Sequence, residues 1–307
     1  MNVGIIGRKN HAKKIIDILR KEKINIQYIY HPYKKEGYNT NKISYLKKCD
    51  AVFILSPIDT HYKYLKIFQK KYNGYIFCEK PLATNFKQLN NIQINRRLFI
   101  NLNLNFSSLL KEIMILQRKK NFGKLFYTNI QWTHGLTFKK DFKKNWRFKK
   151  NNTLLLNLGT HFIDFYSSLL DKNENIKNSK FKYFFNSQVT TGDNLNLIIK
   201  NEKKVMNLFI SYATCLSINF EFWFHNAKIV YDGIYLKAYY PRDNFDKKNN
   251  FIKPKLYKLK KIKITDDWKK SLSKSIAYFL KNVKKSSNID KKFNYDFYNL
   301  NKKLLKK

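Results

Sequence analysis

The sequence predicts two domains in series: an N-terminal α/β domain with a doubly wound parallel (Rossmann) sheet, then a C-terminal α+β domain with a large, open, mostly antiparallel sheet. Three observations predict this. The first hundred residues alternate short runs that are apolar throughout with stretches of helical period. Beyond them, strand-like runs follow one another with few helices between. The chain has 307 residues, enough for two domains of roughly 100–200 residues each. The expected division is 1–105 and 106–307, with the terminal helix able to pack back on the first domain.

The elements follow from residue patterns. Val3–Gly7, Ile26–Tyr30, Ala51–Leu55, Tyr75–Cys78 and Leu98–Leu102 are strands, apolar as a sheet covered on both faces requires. His11–Lys21 is a helix with Ala12, Ile15, Ile16 and Leu19 on one side; Tyr62–Tyr72 and Phe86–Ile94 are the next two. Pro32, Pro57 and Pro81 each come just after a strand, on the edge where an open parallel sheet binds ligands. In the second half, helices are expected over Leu109–Lys119, Leu154–Leu170 and Asp266–Val283. Strands are expected over Lys124–Trp132, Lys182–Thr190, Asn194–Ile199, Val205–Tyr212, Ser217–His225 and Lys228–Tyr231. The lysine-rich stretch Phe245–Lys263 reads as a surface loop or edge strand, and Asn301–Lys307 as a frayed basic tail.

Composition excludes several classes. Hydrophobic residues at 43%, aromatics at 16% and charged residues at 27% fit a packed core rather than a disordered chain. No apolar run approaches the ~18 residues of a membrane span, and Met1–Gly7 enters a strand without the layout of a signal peptide. Cys49, Cys78 and Cys215 form no CxxC pair, which points away from zinc or a disulfide scaffold and towards a reducing cytoplasm. The net charge is +41, from 62 Lys plus Arg against 21 Asp plus Glu. That excess is the sole argument for a nucleic-acid partner. It is made almost wholly of dispersed lysines, whereas base and phosphate readers favour arginine. Lysine here accompanies abundant Asn, Ile, Tyr and Phe, the residues of A/T-rich codons.

Three segments carry candidate chemistry. Gly7-Arg8-Lys9-Asn10-His11-Ala12 lies between the first strand and helix, where a dinucleotide fold places G-x-G-x-x-G/A. Gly7 and Ala12 fit; Lys9 replaces the glycine that lets the backbone approach a pyrophosphate, although its ammonium could attract phosphate. The turn alone does not distinguish a cofactor loop from an ordinary strand–helix connection. After the second strand, Tyr30-His31-Pro32-Tyr33-Lys34-Lys35 has no acid for the ribose hydroxyls of NAD; His31, Lys34 and Lys35 could accommodate the 2′-phosphate of NADP. The third segment joins two strand ends, Leu55-Ser56-Pro57-Ile58-Asp59-Thr60-His61 and Cys78-Glu79-Lys80-Pro81.

The string ILSPIDTHYKYL…YIFCEKPLAT closely resembles the glucose-fructose oxidoreductase/inositol dehydrogenase (Gfo/Idh/MocA) family of NAD(P)-dependent oxidoreductases. Trp146-Arg147 and Leu154-Leu155-Leu156-Asn157-Leu158-Gly159-Thr160-His161-Phe162-Ile163-Asp164 resemble its second signature, and the likeness runs from Val3 to about Tyr240. The resemblance implies a cofactor, NAD or NADP, held by Gly7, Lys9, Asn10, His11, Ala12, His31, Lys34, Ser56, Pro57, His61, Glu79, Lys80 and Pro81. It implies that Lys80, before an often cis proline, hydrogen-bonds the reacting hydroxyl, and that His161 is the general base. Chemistry agrees, because alcohol oxidation needs a proton acceptor that titrates near neutrality. The resemblance implies Asn157 as a third catalytic residue, and Lys80, Arg147, Asn157 and His161 as the substrate site; no metal is expected.

Asn157 departs from the family's D-x-G-x-H. Asparagine hydrogen-bonds but cannot take a proton. Relatives acting on nucleotide-activated amino sugars resemble N-x-G-x-H-F-x-D, as here; loss of catalysis is the competing explanation. Asn105-Phe106 stands where many relatives carry Arg-Phe, and the basic loop 139–150 could hold a diphosphate instead. The expected function is hydride transfer between nicotinamide and a ring hydroxyl of a sugar, cyclitol or nucleotide sugar, in a cytoplasmic homodimer or homotetramer. The alternatives are an inactive relative that binds nucleotide or sugar as a scaffold, and a nucleic-acid-binding protein.

Overall fold

The structure is a computed structural model, and it describes residues 1–9, 11–33, 36–148, 152–171, 178–185, 187, 189, 191–239 and 245–290. The chain forms two compact units, Met1–Asn103 with Leu272–Lys307, and Leu104–Ser271.

The first unit holds β1 (Asn2–Ile6), α1 (His11–Lys21), β2 (Asn25–Tyr30), β3 (Ala51–Ile54), α2 (Ile58–Lys71), β4 (Tyr75–Glu79), α3 (Phe86–Asn90) and β5 (Leu98–Asn101). The five strands are parallel in the order β2-β1-β3-β4-β5. Alternate residues of each strand serve opposite faces. Val52, Ile54, Ile76, Cys78, Leu98 and Ile100 join Leu65 and Phe68 of α2 in one core. On the other face Phe53, Phe77 and Phe99 surround Phe279 of the C-terminal helix, with ring centroids 5.3, 5.3 and 5.7 Å away. The runs are apolar throughout because both faces are covered. The third helix is shorter than expected: Asn85 caps its start by accepting from Gln88 N, and it stops at Asn90.

The second unit holds α4 (Ser108–Gln117), β6 (Leu125–Thr133), α5 (Thr160–Ser167), β7 (Asn178–Phe184), β8 (Asn194–Lys200), β9 (Val205–Ser211), β10 (Ser217–Phe224), β11 (Lys228–Tyr231), β12 (Tyr235–Tyr239) and β13 (Leu256–Lys261). These strands form one sheet in the order β13-β12-β11-β10-β6-β9-β8-β7. Only the central β6–β9 pair is parallel. Phe162 and Phe165 of α5 pack on Phe220 of β10, which fixes the helix to one face. β13 is the lysine-rich edge strand; its Lys258 and Lys260 both donate to the buried Glu112 of α4. The final helix, α6 (Ile264–Lys284), begins in this unit, where Asp267 accepts from the N–H groups of Ser108 and Leu109 at the start of α4, 2.8 and 3.0 Å away. A carboxylate there satisfies two amides that have no partner within their own helix. The tail 301–307 lies outside the described residues.

Candidate active site

In the first unit the expected residues gather at the carboxyl ends of the strands. Gly7 has φ +101°, and a Cβ on it would fall 2.7 Å from the Leu55 carbonyl oxygen. Only glycine permits both that conformation and that approach of the β1–α1 turn to the end of β3. Ala12 N donates to the Lys9 carbonyl at 2.8 Å at the start of α1. Lys9 is exposed; Asn10 and Lys34 lie outside the described residues.

His11, the first residue of α1, puts Nε2 3.0 Å from Glu79 Oε1 at the end of β4. The same oxygen accepts from Asn101 Nδ2 at 2.6 Å, and Asn101 Oδ1 accepts from Ser275 at 2.8 Å. The Glu79 carboxylate raises the His11 imidazole above its ordinary value, against the effect of burial. Burial pushes Glu79 up, but His11, Asn101 and Lys80 together hold it below the usual carboxylate range. The pair is therefore charged on both sides around mildly acid pH.

His61 is 1% exposed. Its Nδ1 faces the Pro81 carbonyl at 2.7 Å and its Nε2 the Ser56 carbonyl at 2.8 Å. The ring thus ties the loop after β3 to the loop after β4, and burial lowers its pKa. Ser56 Oγ accepts from Thr60 at 2.7 Å, Pro57 precedes the first turn of α2, and the Lys80–Pro81 peptide is cis. His31 follows the second strand, with Nδ1 2.6 Å from the Tyr33 carbonyl oxygen and its ring 4.9 Å from that of Tyr38.

In the second unit the signature read as one helix is a π-helical turn, Leu155–Gly159, running into α5. An apolar period does not reveal a π turn, and such turns recur at functional sites. Asn157, His161 and Asp164 are all buried on this segment, 5%, 7% and 2% exposed. Asn157 Nδ2 donates to the Asn152 carbonyl at 3.2 Å. The His161 ring stands edge-on to Trp268 of α6 at 5.2 Å, and Trp132 of β6 flanks the same indole at 5.4 Å. The sequence reasoning missed Trp268, which nothing local connects to His161. Arg147 lies on the Trp146 ring at 4.7 Å. Nearby, burial pushes the Tyr212 hydroxyl up to about 12 while Arg147 acts against it; burial, then Arg147 and Lys139, lower His134. His134 stacks on Tyr212 at 4.7 Å.

The expected residues divide between the two units. The first has a glycine turn, a helix start and Lys80; the second has a buried histidine beside an asparagine and an aspartate. No helix among the described residues is long and apolar enough to cross a membrane.

No curated protein matches the chain in sequence. Among solved structures, an oxidoreductase from Agrobacterium radiobacter in complex with NAD+, L-tartaric acid and magnesium superimposes with a TM-score of 0.78 at 12% identity, covering 100% of this chain and 94% of that one. A levoglucosan dehydrogenase in complex with NADH and L-sorbose gives 0.76 at 14%, covering 98% and 93%. The UDP-N-acetylglucosamine 3-dehydrogenase from Acidithiobacillus ferrooxidans gives 0.73 at 12%, covering 100% and 96%. At these identities the likeness is one of fold, and it extends over both units. Residues 1–95 match the model of the Gfo/Idh/MocA oxidoreductase family with an NAD-binding Rossmann fold, the family that the motifs resemble.

Proposed function

We propose that the protein is an NAD(P)-dependent oxidoreductase that moves a hydride between nicotinamide and a ring hydroxyl of a sugar, cyclitol or nucleotide sugar. The observation that carries this reading is the pairing, in one chain, of the Gly7 turn and Lys80 on a Rossmann sheet with a buried His161 on the second unit. The residues fit a dinucleotide. The Gly7 turn lies flat on the end of β3, where a Cβ would close it, and the start of α1 offers amides and positive potential to a diphosphate.

In oxidation, Lys80 donates a hydrogen bond to the hydroxyl oxygen and favours the developing alkoxide. An imidazole nitrogen of His161 takes the hydroxyl proton. A bound nicotinamide would supply the hydride acceptor for the carbon that bears this hydroxyl. Asn157 hydrogen-bonds a substrate polar group and Arg147 holds an anionic substituent. His61 serves the cofactor side as a brace for the loops bearing Ser56, Pro57 and Pro81. Trp268 sets the ring plane of His161. We place the enzyme in the cytoplasm, as a homodimer or homotetramer.

The test is a panel of polyols, sugars and nucleotide sugars with NAD+ and NADP+, followed at the reduced-nicotinamide absorbance. A second reading, an inactive relative that keeps dinucleotide binding, is favoured by one observation: Asn157 is already engaged with Asn152. Dinucleotide binding without turnover on any hydroxyl would select it.

A further inference from the structure

Between β12 and β13 the second unit carries a small hairpin whose apolar side chains face outwards. Phe251 is 85% exposed, more than any other large hydrophobic side chain among the described residues, and Phe245, Ile252 and Leu256 are 52%, 43% and 51% exposed. The hairpin has a defined shape. Phe245 and Phe251 form an antiparallel bridge, and their rings lie 5.0 Å apart. Asp246 builds the turn between them. Its carboxylate accepts from the backbone N–H groups of Lys248 and Asn250 at 2.8 and 2.9 Å and from Asn250 Nδ2 at 3.1 Å, and Asn249 has φ +61°. The turn thus holds two phenylalanine rings together in water, although apolar area of this kind gains free energy on leaving it.

The charge around the rings is of one sign. Residues 245–263 contain eight lysines and one acid, Asp246, which is engaged in its own turn. Lys258 and Lys260 donate to Glu112, while Lys247, Lys248, Lys253 and Lys255 are exposed on either side of the rings. A protruding apolar tip ringed by lysines fits a surface that is negative outside and hydrocarbon within. Hydrocarbon takes aliphatic and aromatic side chains alike, so it accepts Ile252 and Leu256 with the rings; the bases of a nucleic acid stack on aromatic faces only. A second copy is disfavoured by charge, because in a two-fold contact the patch faces itself and lysine meets lysine.

We propose that this hairpin docks the protein on an anionic phospholipid bilayer. Phe245 and Phe251 enter the boundary between headgroups and acyl chains, and the four lysines face the headgroup phosphates. The docking is peripheral and reversible, since two rings and a basic patch hold far more weakly than a spanning helix. It stands independently of the hydride-transfer reading.

Co-sedimentation of the full chain tests this, with vesicles of phosphatidylcholine alone and of phosphatidylcholine with about one third phosphatidylglycerol, at about 0.15 M salt. The expected result is binding to the anionic vesicles and none to the neutral ones. Phe245→Ser with Phe251→Ser keeps every charge and should weaken binding about tenfold or more, provided its circular dichroism matches the parent. Lys253→Gln with Lys255→Gln should weaken it by a similar factor. Lys70→Gln with Lys71→Gln at the end of α2 removes the same charge elsewhere and should change it by less than about twofold. Phe251→Trp should add blue-shifted emission on anionic vesicles that the parent lacks. No binding by the parent, or equal binding by the double serine variant, would overturn the proposal, the second result assigning the attraction to charge alone. A loss of oligomer mass or of oligonucleotide binding in the double serine variant, with vesicle binding kept, would overturn it in favour of a second copy or a nucleic acid.

Discussion

His11 and Glu79, one opening the first helix and one closing the fourth strand, meet at 3.0 Å across the carboxyl edge of the Rossmann sheet. Each shifts the other's proton equilibrium towards the charged form. The raised imidazole contributes stability that is complete below its ordinary value of 6.5 and is lost as pH rises through its folded value. The lowered carboxyl contributes above its ordinary value of 4.5 and is lost as pH falls through its folded value. The pair is therefore at full strength between those two ordinary values.

Glu79→Gln should accordingly cost most near pH 5.5–6, within the window those two values bound. The His11 side chain is 51% exposed, so solvent screening limits the ionic part to about 0.5–1 kcal/mol. Melting temperatures of parent and variant, compared at mildly acid pH and at pH about 9, check this. A difference that does not shrink at the higher pH would assign the whole effect to the Asn101 hydrogen bond instead.

His61 makes a sharper stability test. Both its nitrogens face carbonyl oxygens, which only accept. The neutral ring donates to one of them, so His61→Ala removes that donor from the Ser56–Pro81 carbonyl pair and opens a cavity. The expected loss is about 2–3 kcal/mol in denaturant unfolding. A loss below about 0.5 kcal/mol would mean that these loops do not depend on the ring.

Gly7→Ala should strain the turn at φ +101° and drive a methyl into the Leu55 carbonyl. Dinucleotide affinity should fall at least tenfold while the second unit keeps its fold, since backbone strain of this kind is worth about 1–3 kcal/mol. Unchanged affinity in calorimetry would show that the turn does not approach the cofactor.

Much of this was legible in the sequence because local pattern and global fold agree in it. Runs such as Ala51–Ile54 and Leu98–Asn101 are apolar at every position, which only a doubly covered parallel sheet explains. Lys80 and His161 stood out because family motifs surround them. What escaped was non-local. The His11–Glu79 pair and the edge-on contact of Trp268 with His161 join residues far apart in the chain. The parallel β6–β9 pairing follows from chain topology rather than from alternation, which is the same in parallel and antiparallel strands. The strand expected over 182–190 lies earlier, at Asn178–Phe184, where Phe181 and Tyr183 pair with Leu197 and Leu195. The π turn at Leu155–Gly159 inserts a residue that hydrophobic spacing does not register.

The face of the large sheet opposite α5 presents Trp223 and Tyr235, each 36% exposed, and Lys228 lies over the Trp223 ring at 3.9 Å. If copies of the chain associate through this face, Trp223→Glu should shift the mass in light scattering towards the monomer at micromolar concentration. A parent that is already monomeric would remove oligomerisation through the sheet.

Single-turnover reduction of nicotinamide by the best substrate of the panel, compared between parent, His161→Ala and Lys80→Ala at cofactor saturation, tests the central claim most directly. Loss of a positioned base costs about 10²–10⁴-fold in rate. The predicted result is a fall of that order in His161→Ala and a comparable fall in Lys80→Ala, with dinucleotide affinity in His161→Ala within about twofold of the parent. Turnover in His161→Ala within about threefold of the parent would contradict the assignment of His161 as the base.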